Sequence, residues 1–523
     1  MLRRLRFLPA AVGLLLAALP LQASQAGTDQ NVVRVRDGLV RGVSGPSTVT
    51  FQGIPYAAPP VNELRWTPPR PPAHWKGVRD ASKATPMCAQ PGGDGQFLPG
   101  TSEDCLYLHV TVPKTKSTGP RPVMVWSHGG GFSSGSGSQY DSTRLATEGD
   151  VILVTVDFRI GVFGNFGLRG LPGSGTFGMQ DQQAALRWVR DNIGAFGGNP
   201  HNVTLFGESG GAIGTCGLLT SPGTRGLVGR AIMQSGSCLL SWPANGLAMA
   251  LPAGSFWHSL AQVQQTGTTA ATKLGCTGTS TAKLRCLRKL DTIKVFAESG
   301  SFGSIAYGTQ TLPIEPGKSV RAGLFPKIPI LSGHTKDEAR AIEAIAELLL
   351  IPVTADNYLT LLTQAFGDRA GEVAAVYPAS AYPSEALAWS AMDTDQVFAC
   401  TQLATTKAFA RSAPAVYAYE FADPAAPGYV RFPQGLPPGA SHGSELNYLF
   451  DAAGGEPYQL TAAQEKLAAQ LRSYWTNFAR TGDPNGKATP VWPQWPSVQV
   501  LAPGATHPAN DSRNHHCDLW STL

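Results

Sequence analysis

The stretch "VTLFGESGGAIG", Val203 to Gly214, decides how the rest of this chain is read. It sets one serine, Ser209, among four glycines, directly after an alternating apolar run. One reading is a small residue in a glycine-rich turn. The other is a hydroxyl held on a sharp strand-to-helix turn, where neighbouring backbone comes too close for a Cβ. The second accounts for the order of the parts. Val203 and Leu205 supply a strand, and Gly210, Gly211, Ala212 and Gly214 let a helix start tight against it.

A serine hydroxyl is a poor nucleophile near neutral pH. A catalytic Ser209 therefore needs a base within hydrogen-bond reach, a group that orients the base, and backbone donors for an oxyanion. "WSHGGGF", Trp126 to Phe132, meets the last need, because its three glycines follow a strand and leave N–H groups free. A phosphate-cradling loop is the rival reading, but the Lys-Ser/Thr ending it requires is absent. For a serine on such a turn, the acid and then the histidine follow in the chain. Six of the ten histidines lie beyond Ser209. His442, in "GASHGSELNYLF", sits in a Gly/Ser loop after a strand and is the best placed, with His334 as its competitor. His258 falls in an atypical segment, and His507, His515 and His516 in the C-terminal tail. The acid comes from "SGHTKDEA" as Asp337 or Glu338, and spacing does not choose between them.

Around these motifs, near-continuous apolar runs recur: "PVMVW" (Pro122 to Trp126), "VILVTVDF" (Val151 to Phe158), "NVTLF" (Asn202 to Phe206), "IPILSG" (Ile328 to Gly333) and "AVYAYEF" (Ala415 to Phe421). Such runs suit strands covered on both faces. Helix-like stretches alternate with them. "DQQAALRWVRDNIGAF" places Ala185, Trp188, Val189 and Asn192 at helical spacing, with Asp181 at the amino end. "VVRVRDGLVRGV", Val32 to Val43, reads as a hairpin turning at Asp37-Gly38 in a type I′ turn. Residues 242–325 differ, being rich in Thr, Gly, Ala and Ser with short helical pieces, and read as an insertion packed over the sheet. A further helix is expected over Ala339 to Leu350. The fold class is α/β: a central, mostly parallel sheet flanked by helices, with an N-terminal β-hairpin and a helical insertion over the active site. Phe132, Trp242, Phe256, Trp257, Phe296 and Phe302 are candidate pocket walls, although core packing is the commoner role for any one of them.

The first 26 residues read as a cleaved secretory leader. Three arginines precede an apolar run from Phe7 to about Leu21, and Ser24-Gln25-Ala26 suits a signal peptidase. Residues 27–523 then form one domain, secreted or periplasmic. Losing Arg3, Arg4 and Arg6 lowers the formal charge from +5 to +2, too weak for a nucleic-acid footprint. No later run is long enough for a membrane span, and nothing signals an oligomeric state. All eight cysteines remain in the mature chain, which suits disulfides in an exported protein. Cys88 with Cys105 and Cys276 with Cys286 close short loops. "NHHC", Asn514 to Cys517, reads as a polar tail rather than a metal cluster, because no second ligand group with zinc spacing appears.

Together the motifs resemble the type-B carboxylesterases, the cholinesterase-like branch of the α/β-hydrolases. The likeness covers almost the whole mature chain. It runs from "FQGIPYAAPPVNELRW", "SEDCLYLHV" and "SHGGGF" through "DFRIGVFGNF", "DQQAALRWVRDNIGAFGGNPHNVTLFGESGG" and "RAIMQSGS". It closes with "GHTKDEA", "SHGSELNYLF", "YWTNFARTGDPNG" and "HCDLW". The resemblance implies Ser209 as nucleophile, Glu338 as acid, His442 as base, and Gly130, Gly131 and Gly210 as oxyanion donors. It implies a structural ion pair between Arg65 and Glu103, and the bridges Cys88–Cys105, Cys276–Cys286 and Cys400–Cys517. Cys216 and Cys238 remain, and a fourth bridge is favoured over two buried thiols. Asn62 stands where the family has glycine, and Asp157 where it has asparagine. The segment between Cys88 and Cys105 holds one aromatic residue, Phe97, and no tryptophan, which argues against a quaternary-ammonium cage. The expected function is hydrolysis of small-molecule carboxylic esters without metal or cofactor. The alternatives are an interfacial lipase or polyester hydrolase, and a non-catalytic binding protein of the same fold.

Overall fold

The computed structural model describes residues 31–452, 458–487 and 489–522, so the leader read at residues 1–26 lies outside the described residues. Within them, eleven strands form the central sheet. Along the chain these are β1 (Val43–Ser44), β2 (Thr48–Pro55), β3 (Tyr107–Pro113), β4 (Arg121–Ser127), β5 (Ile152–Val156) and β6 (Gly198–Glu208). They continue as β7 (Arg230–Gln234), β8 (Ile330–Thr335), β9 (Val416–Phe421), β10 (Val498–Leu501) and β11 (His507–Ala509). Across the sheet the order is β11-β10-β9-β8-β7-β6-β4-β5-β3-β2-β1. The seven neighbours from β10 to β5 run parallel. The outer pairs are antiparallel.

The apolar runs are continuous because both faces are covered. Val123 and Val125 of β4 join one core, while Met124 and Trp126 join the other. In β6, Val203 and Leu205 face the first core and Phe206 the second. The first face is closed by the helices Phe177–Asn192 and Gly210–Thr220, through residues such as Leu186, Val189, Ile213 and Leu218. The second is closed by Thr143–Gly149 and by Ala462–Thr481, which buries Leu471, Trp475 and Phe478.

Two local expectations are corrected. The hairpin forms as Val32–Val35 against Gly38–Arg41, but Val35 pairs with Gly38, so the loop is Arg36-Asp37. Neither loop residue has positive φ, which excludes a type I′ turn. Gly38 is glycine because a Cβ there would lie 2.3 Å from the Trp75 indole nitrogen, which donates to the Leu39 carbonyl at 2.8 Å. Second, the helix expected to open near Asp181 begins at Phe177. Asp181 is instead a fully buried ion-pair partner, bound twice by the Arg159 guanidinium at 2.7 Å. The later helix runs over Arg340–Leu348, inside the stretch expected.

Residues 242–325 carry helices at Leu260–Lys273, Ser280–Arg288 and Thr292–Phe296, packed on Val162, Phe163 and Phe166. The segment reaches the sheet edge through Phe256, whose ring meets Phe132 edge-on at 5.6 Å. Arg65 and Glu103 form a buried two-pronged ion pair at 2.6 and 2.7 Å. The cysteines are joined as Cys88–Cys105, Cys276–Cys286, Cys400–Cys517 and Cys216–Cys238. Asn62 holds φ 54°, the left-handed region that asparagine tolerates best after glycine. Among the described residues no helix is long and apolar enough to cross a membrane.

Candidate active site

Parallel strands end at one edge of a sheet, and their following loops meet there. Ser127 of β4 pairs with Gly207 of β6, so the glycine loop and the serine turn emerge side by side. Ser209 caps the Gly210–Thr220 helix with φ 54° and ψ −124°, a strained conformation for a residue with a side chain. Its N–H donates to the Gln234 carbonyl at 2.8 Å, and its carbonyl accepts from Ile213. The glycines give clearance rather than flexibility. A Cβ on Gly211 would lie 2.0 Å from the Ser127 carbonyl oxygen. One on Gly210 would lie 2.9 Å from the Gly131 nitrogen, which shows how closely the two loops approach. Among the described residues, the N–H groups of Gly130, Gly131 and Gly210 have no acceptor.

Glu338 follows β8 and is fully buried. Its Oε2 lies 2.5 Å from Nδ1 of His442, and its Oε1 accepts from the Thr335 N–H at 2.8 Å. The His442 N–H in turn donates to the Glu338 carbonyl at 3.2 Å. The imidazole packs against Phe398, 5.0 Å between ring centres, within a widened π turn at Thr394–Ala399. Burial works against the charged form of both groups. Their mutual attraction outweighs it, holding Glu338 below the usual carboxylate range. Burial would lower the His442 pKa, but the charges of Glu208, Glu338 and Glu445 raise it to about 9.

Asp337 and His334 are placed elsewhere. Asp337 pairs with Arg340 at 2.7 Å and accepts from the Ala440 N–H, bracing the loop that carries His442. His334 is fully buried against Asp511. His258 lies in the insertion, 3.4 Å from the Ser304 hydroxyl.

Sequence reasoning missed Glu208, whose Oε1 stands 3.1 Å from Nε2 of His442. It also missed Glu445, which accepts from the Gln234 amide at 3.1 Å. Burial raises the pKa of each, and the neighbouring carboxylates add to it. A charged residue closing an otherwise apolar strand was the available signal for Glu208.

Ser209 and His442 open on one cavity of about 390 Å³, walled by Tyr140, Tyr429, Phe450 and Tyr458 with Leu446. None of the six proposed wall residues lines it. Phe132, Trp257, Phe296 and Phe302 are buried in the core, and Trp242 packs edge-on against Phe256 at 5.0 Å. Phe97 likewise packs on Phe296 rather than on the cavity.

The sheet order and the turn at Ser209 place the fold among the α/β-hydrolases. A solved structure described as "thermophylic PNB esterase" superposes with a TM-score of 0.75 at 31% identity, covering 94% of this chain and 99% of that one. The profile of the carboxylesterase family matches residues 29–520, and the chain belongs to that family. Fumonisin B1 esterase of Sphingopyxis macrogoltabida is 34% identical over 494 residues, 90% of this chain and 86% of that protein. Para-nitrobenzyl esterase of Bacillus subtilis is 34% identical over 488 residues, covering 89% and 92%. Human cocaine esterase is 32% identical over 483 residues, covering 85% and 81%. The class of activity is carboxylic ester hydrolysis.

Proposed function

We propose that residues 27–523 act as one exported catalytic domain that hydrolyses small-molecule esters through an acyl-enzyme on Ser209. Ser209 Oγ attacks the ester carbonyl as His442 Nε2 takes its proton. Glu338 holds the Nδ1 proton and stabilises the imidazolium. The Gly130, Gly131 and Gly210 N–H groups receive the oxyanion. The alkoxide leaves with the proton from His442. Water, deprotonated by the same imidazole, then cleaves the acyl-serine and restores the free hydroxyl.

The observation that carries this reading is the 2.5 Å Glu338–His442 contact, with His442 opening on the same cavity as the strained Ser209. The cavity volume suits a small organic ester. Relatives whose names specify Fumonisin B1, para-nitrobenzyl and cocaine support the reaction class rather than one substrate. Export is supported by the leader sequence and by four disulfides.

The test is covalent labelling by a fluorophosphonate probe, with turnover of a short-chain aryl ester. Both are expected in the parent protein and absent from a folded Ser209→Ala variant. Undiminished turnover in that variant overturns the assignment.

A further inference from the structure

The "NHHC" tail does not stay a polar tail. His515 is buried, and the fold brings it to a histidine nearly two hundred positions earlier in the chain. We propose that His334, Asp511 and His515 form a binding site for a borderline divalent cation of the zinc type, separate from the esterase site.

The three side chains come from two segments. His334 lies in β8, and Asp511 opens the short Asp511–Asn514 helix just before His515. The Cys400–Cys517 bridge ties this tail down beside β8. One ligand atom from each residue falls within 4.8 Å of the others, and all three residues are buried. His334 Nε2 is 2.7 Å from Asp511 Oδ2, and His515 Nε2 is 3.3 Å from Asp511 Oδ1. Glu420 Oε1 adds a further carboxylate oxygen 3.4 Å from His515 Nε2. Bonds of about 2.0–2.1 Å to a tetrahedral zinc put neighbouring ligand atoms about 3.3 Å apart. The 2.7 Å His334–Asp511 contact has to widen to fit.

The outer contacts decide which imidazole atoms face the centre. His334 Nδ1 lies 3.0 Å from the Thr335 carbonyl oxygen, which can only accept, so this nitrogen carries hydrogen. His515 Nδ1 lies 2.5 Å from Asp395 Oδ1, again an acceptor. In the neutral rings both Nε2 atoms are therefore lone pairs, and both face a carboxylate. Two lone pairs against buried carboxylate oxygens repel, so the cluster takes up either a second proton on each ring or a cation among them. Metal-bound histidines show the same outer arrangement, one nitrogen on the ion and the other on a carbonyl or carboxylate.

Asp511 Oδ1 is buried, and it meets His515 Nε2 at 3.3 Å without completing a hydrogen bond of good geometry. A poorly satisfied buried carboxylate oxygen is costly, and a cation at the cluster removes that cost. A cavity of about 590 Å³ reaches the edge of the cluster at His515, beside Asp395 and Glu420. Thr335 links the site to the esterase centre, its carbonyl holding His334 and its N–H donated to Glu338. Its role is to pin the tail and the end of β8 together.

The experiment uses the untagged mature protein, stripped with chelator and titrated with Co²⁺, then Zn²⁺. One Co²⁺ per chain is expected, with the visible absorption of a low-coordinate site, displaced stoichiometrically by Zn²⁺. Saturating Zn²⁺ raises Tm through linkage. Asp395→Asn, which removes an outer carboxylate, weakens binding about 10–100-fold. His515→Ala abolishes it, and His507→Ala, an exposed neighbour outside the cluster, leaves it intact. Ser209→Ala protein binds the ion as the parent does, so the result is independent of the esterase assignment. If His515→Ala does not fold, the parent titration still decides. Absence of saturable binding, an aqua-like Co²⁺ spectrum, or binding unchanged in folded His515→Ala overturns the site and leaves two imidazolium–carboxylate pairs.

Discussion

Glu208 Oε1 lies 3.1 Å from Nε2 of His442, on the opposite side of the ring from Glu338, which holds Nδ1. The residue before Ser209 thus sets a carboxylate beside the nitrogen that would receive the serine proton. Glu445 adds a third buried acid whose charge also raises His442. The imidazolium is strongly favoured there, and the neutral base becomes available only as pH rises.

Glu208→Gln removes one of the charges that raise His442 towards about 9. Neutral imidazole is the form that accepts the serine proton, and it prevails above that pKa. Lowering the pKa therefore moves the acid limb of kcat/KM towards lower pH. The pH–rate profile of the two proteins checks this, and an unmoved limb refutes it.

Glu338→Gln and Asp337→Asn separate the two candidate acids. Glu338 is bound to the imidazole, whereas Asp337 is committed to Arg340 and the Ala440 N–H. Loss of Glu338 is expected to lower kcat by about 10⁴-fold, as for other triad acids. Asp337→Asn leaves kcat near its parent value and lowers Tm instead. Steady-state kinetics with thermal melts distinguish the two.

Gly210→Ala introduces a Cβ 2.9 Å from the Gly131 nitrogen. The two loops must part, which spoils the donors aimed at the oxyanion. A fall in kcat of about 10²–10³-fold is expected, with KM little changed. A variant with parent kcat would show that the loops can separate without cost.

Arg159→Met strands Asp181 in the core without its partner. Breaking such a buried pair costs about 3–5 kcal/mol, whereas replacing both charges with apolar groups costs far less. Denaturant melts should show Arg159→Met strongly destabilised and Arg159→Met/Asp181→Leu largely restored.

Much of the fold was legible in the sequence. The strands of the parallel region announce themselves because both faces are buried, so Met124 and Val125 are equally apolar although they enter different cores. The turn at Ser209 was legible because steric clearance leaves glycine no substitute. What local sequence misjudged was residues whose reason lies far away. Gly38 looked like a turn glycine, yet it lies beneath Trp75. Asp181 looked like a helix-end charge, yet it answers Arg159. Five of the six candidate walls lie in the insertion, yet Tyr429, Phe450 and Tyr458 come from the segments flanking His442.

The sequence by itself determined the alternation of strand and helix, the strained serine turn and the glycine loop, since each follows from short-range sterics and burial periodicity. Spacing left Asp337 and Glu338 open and the family resemblance favoured Glu338, while the tertiary structure shows which of them touches His442 and alone decided which carboxylate faces its other nitrogen and which tail histidine joins β8. Those relations depend on side chains a hundred or more residues apart meeting, with Glu338 and Glu208 within about 3 Å of His442 and the His515 ring centre 5.0 Å from that of His334, and only the packing of the whole sheet sets such distances.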